Sequence, residues 1–128
     1  MDTYYGNHQQ LFTAVWNVAA KMEKPAMDDV GRCAYRTEDG RKCLIGALIP
    51  DKLYSPVFEH HVASERLIMK AANIGGSIDS RFVDRLQMCH DEAASKSPCY
   101  PIYPFFWQEK MMDELRSLAK EYGLKIPE

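Results

Sequence analysis

Apolar side chains return every three or four residues through four stretches of this chain, a period that marks helices with one buried face. Between His8 and Met22 the stripe is Leu11, Phe12, Val15, Val18, Ala19 and Met22, with Asn7 placed to cap the start and Pro25 to stop continuation. Trp16 falls beside this stripe, where closing the edge of the core is preferred over serving as an exposed anchor. Val62, Leu67, Ile68, Ala71 and Ala72 predict a shorter helix from Val62 to Asn73, ended by Ile74-Gly75-Gly76. The Gly-Gly-Ser that follows lacks the Lys of a phosphate-binding loop and comes after a helix, so it reads as a terminator. Asp79 or Ser80 then caps a strong helix over Arg81 to Ala94, whose inner stripe is Phe82, Val83, Leu86, Cys89, His90 and Ala93. The short connection makes these two helices an expected antiparallel pair. A last helix runs from Pro104 to Tyr122 with Phe106, Trp107, Met111, Leu115, Leu118 and Tyr122 inward, and Gly123 stops it.

The helical period breaks between Cys33 and Tyr54, CAYRTEDGRKCLIGALIPDKLY. Asp39-Gly40 is a turn pair flanked by short runs of β-branched, aromatic and Cys residues, which predicts a β-hairpin over 33–45. A three-residue loop at Glu38 to Gly40 sets Thr37 opposite Arg41, Tyr35 opposite Cys43 and Cys33 opposite Ile45; a two-residue turn shifts the pairing by one. Alternation in the first register puts Cys33, Tyr35, Cys43 and Ile45 on a core face, and Ala34, Arg36, Lys42 and Leu44 on an outer one. Pro50-Asp51 suggests a bend, and Pro56 interrupts any long helix from Lys52 to Phe58. His60-His61 reads as a polar turn, residues 1–7 as a fraying end, and 95–104, SKSPCYPIYP, as an extended Pro/Tyr-rich strap.

The expected architecture is therefore mainly α (α+β): one domain over 1–128, about four helices with one small β-hairpin. Composition agrees, since 46% apolar and 27% charged residues suffice for a packed core. A net charge of -2 argues against coating of duplex nucleic acid. No run of eighteen apolar residues and no basic-then-apolar start occur, so neither a membrane span nor a signal peptide is expected, and a cytoplasmic location follows. Cys33, Cys43, Cys89 and Cys99 are then expected as free thiols. Cys33, Cys43, His90 and Cys99 are zinc-ligand types, but without a C-x-x-C knuckle the preferred reading is buried thiols with no metal and no cofactor.

No G-x-S-x-G, H-E-x-x-H or recognisable Cys-His arrangement is present, so no enzyme is expected. His90-Asp91 is the most suggestive dyad; neighbours on a helix diverge by about 100°, which predicts that they do not hydrogen-bond and that His90 is a buried residue bonded to backbone or to the hairpin. Binding is the better expectation. Arg32, Arg36, Arg41 and Lys42 cluster on and beside the hairpin, guanidinium forks suit phosphate or carboxylate, and Tyr35 and Tyr54 complete the candidate surface, with Tyr100 and Tyr103 as further stacking candidates. The competing reading is a solvated face partly neutralised by Glu38 and Asp39.

The pattern C-x-Y-R, D-G-x-K-C-x-I-G-x-L-I-P-D, then L-Q-x-C-H-D and a Trp-containing last helix resembles a group of small uncharacterised proteins of tailed phages and prophages. Here it falls on Cys33, Tyr35, Arg36, Asp39, Gly40, Lys42, Cys43, Ile45, Gly46, Leu48 to Asp51, Leu86, Gln87, Cys89 to Asp91 and Trp107. The resemblance implies a phage accessory protein in an infected bacterial host. Three functions follow as expectations: a protein that binds and inhibits a host defence complex, as anti-CRISPR proteins do; a sequestering binder of a phosphorylated small molecule or nucleotide; or a metal-supported nucleic-acid-binding module.

Overall fold

The computed structural model describes residues 4–27, 33–96 and 104–127. Four helices carry the fold: α1 (His8–Lys21), α2 (Arg66–Ala71), α3 (Ser80–Lys96) and α4 (Pro104–Tyr122). The helical period places α1, α3 and α4 to within two residues at each end and finds α2 with a later start. Asn7 caps α1 by accepting the Gln10 N–H at 2.9 Å, Asp79 accepts the Arg81 N–H at the head of α3, and Gly123 takes the positive φ of +67° that ends α4.

α4 packs chiefly on α3 and also on α1. Trp107, Met111, Leu115 and Leu118 meet Phe82, Val83 and Leu86 in one core that also takes Leu11, Phe12, Val15 and Trp16. Trp107 lies edge-on to the buried His90 ring, with centroids 5.8 Å apart. No helix among the described residues is long and apolar enough to cross a membrane.

Four expectations fail. Residues 4–7 are not a fraying end: Tyr5 pairs in parallel with Ile74, donating to the Asn73 carbonyl at 3.0 Å and accepting from Gly75 at 2.8 Å. α2 begins at Arg66 instead of Val62, so Val62 and Leu67 are 62% and 69% exposed while Ile68, Ala71 and Ala72 are buried. At six residues α2 is too short for the antiparallel pairing expected with α3, which packs on α4 instead. The β-hairpin is also absent as a pair of strands.

Over 33–45 a single antiparallel bridge, Arg36 with Lys42, stands where a ladder was expected. The tip is a tight turn with Gly40 at φ +89°, and Thr37 and Arg41 are opposite one another. Cys33 bridges Met27 and not Ile45. Leu44, assigned to the outer face, is fully buried, because the chain after Cys43 coils into a 3-10 turn at Gly46–Leu48 and alternation ends there. Two further 3-10 turns, Asp51–Leu53 and Pro56–His60, fill the stretch that Pro56 interrupts. Of the expected strap, residues 95 and 96 belong to α3 and Pro104 opens α4; the remainder, with Cys99, Tyr100 and Tyr103, lies outside the described residues, as does Arg32.

Candidate functional site

The basic turn is clamped to the chain itself. Arg36 is the centre: one guanidinium nitrogen meets Asp51 at 2.8 Å, the other donates to the Ile49 carbonyl, and the group sits 4.7 Å over the Tyr54 ring. Glu59, on the Pro56–His60 turn, collects the rest. Its carboxylate accepts the Tyr35 N–H at 2.8 Å, the Arg36 N–H at 3.0 Å and the Tyr54 hydroxyl. Tyr35 is buried and donates its hydroxyl to the His61 carbonyl at 2.7 Å. Arg41 binds Asp39 through Nε and reaches the Pro25 and Met27 carbonyls at 2.9 and 3.1 Å, while Lys42 lies 3.4 Å from Asp51.

Tyr35, Arg36 and Tyr54 are thus brought together by Glu59, and Arg41 and Lys42 turn toward other partners. Of the guanidiniums expected to face an anionic ligand, Arg36 and Arg41 spend their donors on the protein. Arg36 has a side-chain exposure of only 14%, and its Nε is buried with no partner among the described residues. Glu59 was missed because an acid on an exposed turn carries no periodic signal; it gains meaning only once the 35–36 backbone lies against it.

The clamp has an acid limit. Lys42, and after it Arg36, hold the Asp51 carboxyl below its ordinary value of 3.8, and bonds from Thr37 and Arg41 do the same for Asp39. A depressed folded value contributes stability that is complete above the unfolded value and disappears as pH falls through the folded one. Urea midpoints measured from about pH 5 down to about pH 2 should therefore fall, and less steeply in Asp51→Asn.

A second set of polar contacts is buried. α3 presents Gln87, His90 and Asp91 to the non-helical segments. The Gln87 side-chain carbonyl accepts both the Ile45 N–H and the Cys43 thiol at 3.1 Å, and its amide donates to Asp91 at 2.8 Å. His90 accepts the Ala26 N–H on Nε2 at 3.0 Å, and its Nδ1 lies 2.8 Å from Asp91. The expectation that neighbours on a helix cannot bond is overturned: the aspartate curls back along the helix surface to meet the ring. The expectation of a buried His90 bonded to backbone is correct, with the ring fully buried.

Cys33, His90 and Asp91 offer ligand atoms within 4.8 Å of one another. The donor set does not suit a metal. An imidazole has one lone-pair nitrogen; in His90 it is Nε2, already occupied by the Ala26 N–H, so Nδ1 carries the proton given to Asp91. The Cys33 thiol points to the Asp91 carbonyl at 3.6 Å, Cys43 is committed to Gln87, and Cys99 lies outside the described residues. Burial raises the Cys43 thiol and pushes Cys89 up to about 12, so both remain protonated small apolar side chains.

In comparison with known protein families, curated proteins and solved structures, nothing matches this chain. A cleft of about 320 Å³ is lined by Tyr35, Glu59, His61, Val62, Asp84 and Met88, among others. Burial, then the charge of neighbouring groups including Asp91, Asp84 and Glu59, raises the Tyr35 hydroxyl well above its usual range, in keeping with a negative field there. Around the same stretch Leu53, Val57, Val62 and Leu67 are 45%, 61%, 62% and 69% exposed, and Met88 on the cleft wall is 47% exposed. The sequence stripe hid this feature, because it counted Val62 and Leu67 as core.

Proposed function

We propose that this chain is a non-catalytic interaction protein, a phage accessory product of the kind its motif resembles, which binds and inhibits a host defence complex. What supports the reading is the concentration of large exposed apolar side chains in 53–67 beside an acidic cleft. Four such residues within fifteen positions, Leu53 and Val57 on 3-10 turns, Val62 on the connector and Leu67 on α2, expose apolar area that costs free energy to leave in water. The negative cleft beside them suits a basic side chain of the partner and would steer it into register. The contact surface is thereby assigned to 53–67 and the cleft, not to the basic turn, whose arginines are engaged within the chain. The metal-supported nucleic-acid module is not carried further, since His90 has no lone pair to give.

The test is capture from infected-host lysate with the tagged chain, followed by assay of the captured complex with and without added chain. The wild type should retain a stoichiometric complex and suppress its activity. Val57→Asp with Val62→Asp should lose both while keeping the helical circular dichroism signal, because both side chains are exposed. Arg36→Gln should do the reverse, lowering the unfolding midpoint and keeping capture. Capture that survives the Val57/Val62 pair and fails in a folded Arg36 variant would return the contact to the basic turn.

A further inference from the structure

The groove between α2 and the head of α3 has the opposite sign from the cleft at Tyr35. It encloses about 610 Å³, and its lining holds Arg66 and Lys70 but no carboxylate. These cations stand four residues apart on α2, one helical turn, so their heads reach the same space. Arg36, Arg41, Arg85 and Arg116 each close on a carboxylate, whereas the side chains of Arg66 and Lys70 make no ion pair or hydrogen bond among the described residues. Ser64 and Ser80, also in the lining, have hydroxyls with no hydrogen-bond partner among the described residues. On a chain of net charge -2, this is a local positive pocket with hydroxyl donors beside it.

The groove also has an aromatic part. Tyr4 lines it at 61% exposure, with Ile74 and Ile78 as apolar lining. The backbone of Tyr5 beside it is paired to Asn73 and Gly75, and the hydroxyl end of the Tyr4 ring lies against Gly75. A Cβ built at Gly75 would lie 2.5 Å from the Tyr4 hydroxyl oxygen, so this approach exists because the residue is glycine. An exposed aromatic ring and a pair of cations in one groove match the two halves of one ligand class.

We propose that this groove binds a free nucleotide, its phosphate taken by Arg66 and Lys70 with the Ser64 and Ser80 hydroxyls, its base laid against Tyr4. The volume is in the range of small-molecule sites. Charge on one side and an aromatic face on the other ask for a ligand carrying both, which inorganic phosphate and a bare nucleoside do not. The site adjoins the stretch proposed for a protein partner, sharing Ser64 and Arg66 with 53–67, but none of the exposed apolar residues Leu53, Val57, Val62 and Leu67 lines it, so substitutions at those residues separate the two readings.

Calorimetric titration of the full chain with AMP, adenosine, inorganic phosphate and a short single-stranded oligonucleotide tests the assignment. AMP should saturate one site per chain, with adenosine and phosphate each weaker by about tenfold or more. Arg66→Gln with Lys70→Gln should reduce AMP to the affinity of adenosine, and Tyr4→Leu should reduce it to that of phosphate. Val57→Asp should bind AMP as the wild type does. Amide chemical-shift changes in the wild type on adding AMP should centre on residues 64–80, a readout that needs no variant to fold. Failure of AMP to saturate at millimolar concentration, shifts centred on the Tyr35 cleft, or undiminished binding by the double variant would overturn the site. Tighter binding of the oligonucleotide per nucleotide than of AMP would overturn the free-nucleotide assignment in favour of a strand.

Discussion

Replacing Gly46 by alanine is expected to cost about 3 kcal/mol or more, a large share of a small domain's total stability. Its φ is unremarkable; the constraint is proximity. A Cβ at this position would lie 2.2 Å from the Tyr35 carbonyl oxygen and 2.9 Å from its carbon, and these are backbone atoms that cannot swing aside. That carbonyl accepts the Cys43 N–H at 3.2 Å, and the Gly46 N–H approaches the Cys43 sulfur at 3.3 Å. Moving the two segments apart therefore also draws Cys43 from Gln87 and Tyr35 from Glu59. Urea unfolding should show a far lower midpoint for Gly46→Ala, or a chain already unfolded in buffer. Gly76→Ala is the control: nothing lies within 4 Å of its Cβ position, so its effect should stay within about 0.5 kcal/mol. Equal stability of the two variants would contradict the close approach.

Gln87→Leu is expected to cost about 2–4 kcal/mol, although leucine is the more apolar side chain and the site is 94% buried by its 6% exposure. The loss comes from the groups left behind. The Ile45 N–H and the Cys43 thiol both lose their acceptor in a dry interior, and Asp91 loses one donor. Gln87→Glu separates this account from a simple loss of packing. A glutamate keeps the acceptor but sets a second carboxylate against Asp91, which raises the folded-state value of the pair. The variant should be weakest near neutral pH and recover relative to wild type as the pH falls and a proton restores the missing donor. A Gln87→Glu penalty that does not change with pH would reject the hydrogen-bonded clip.

Both variants act on residues of the motif that runs from Cys33 to Asp51 and resumes at Leu86. The structure supplies a mechanical reason for much of that motif. Gly40 makes the tip, Arg36 and Lys42 tie it to Asp51, Gly46 lets the turn lie against Tyr35, and Gln87 and His90 fasten the non-helical segments to α3. A cluster of arginines with tyrosines looks the same in sequence whether it grips a ligand or the chain's own carboxylates. The partners here, Asp51 and Glu59, lie fifteen and twenty-three residues beyond Arg36, and no local spacing rule reaches that far.

What the order of residues determined alone was the set of helices and most of their buried faces. Those depend on contacts three and four positions apart: the α3 stripe is buried throughout, as are Leu11, Phe12, Val15 and Ala19 on α1 and Trp107, Met111, Leu115 and Leu118 on α4, while Val18, Met22 and Tyr122 are only partly buried. The tip at Gly40 and the caps at Asn7 and Gly123 were equally local. Only the tertiary structure decided that the 33–45 segment closes by one bridge instead of two strands, that its cations are spent internally, and that Val62 and Leu67 face water. It alone set Tyr4 beside Gly75 and left Arg66 and Lys70 without a carboxylate partner among the described residues. Each of these outcomes depends on which distant segment arrives at a given side chain, and that is fixed by packing across the core, not by the neighbours along the chain.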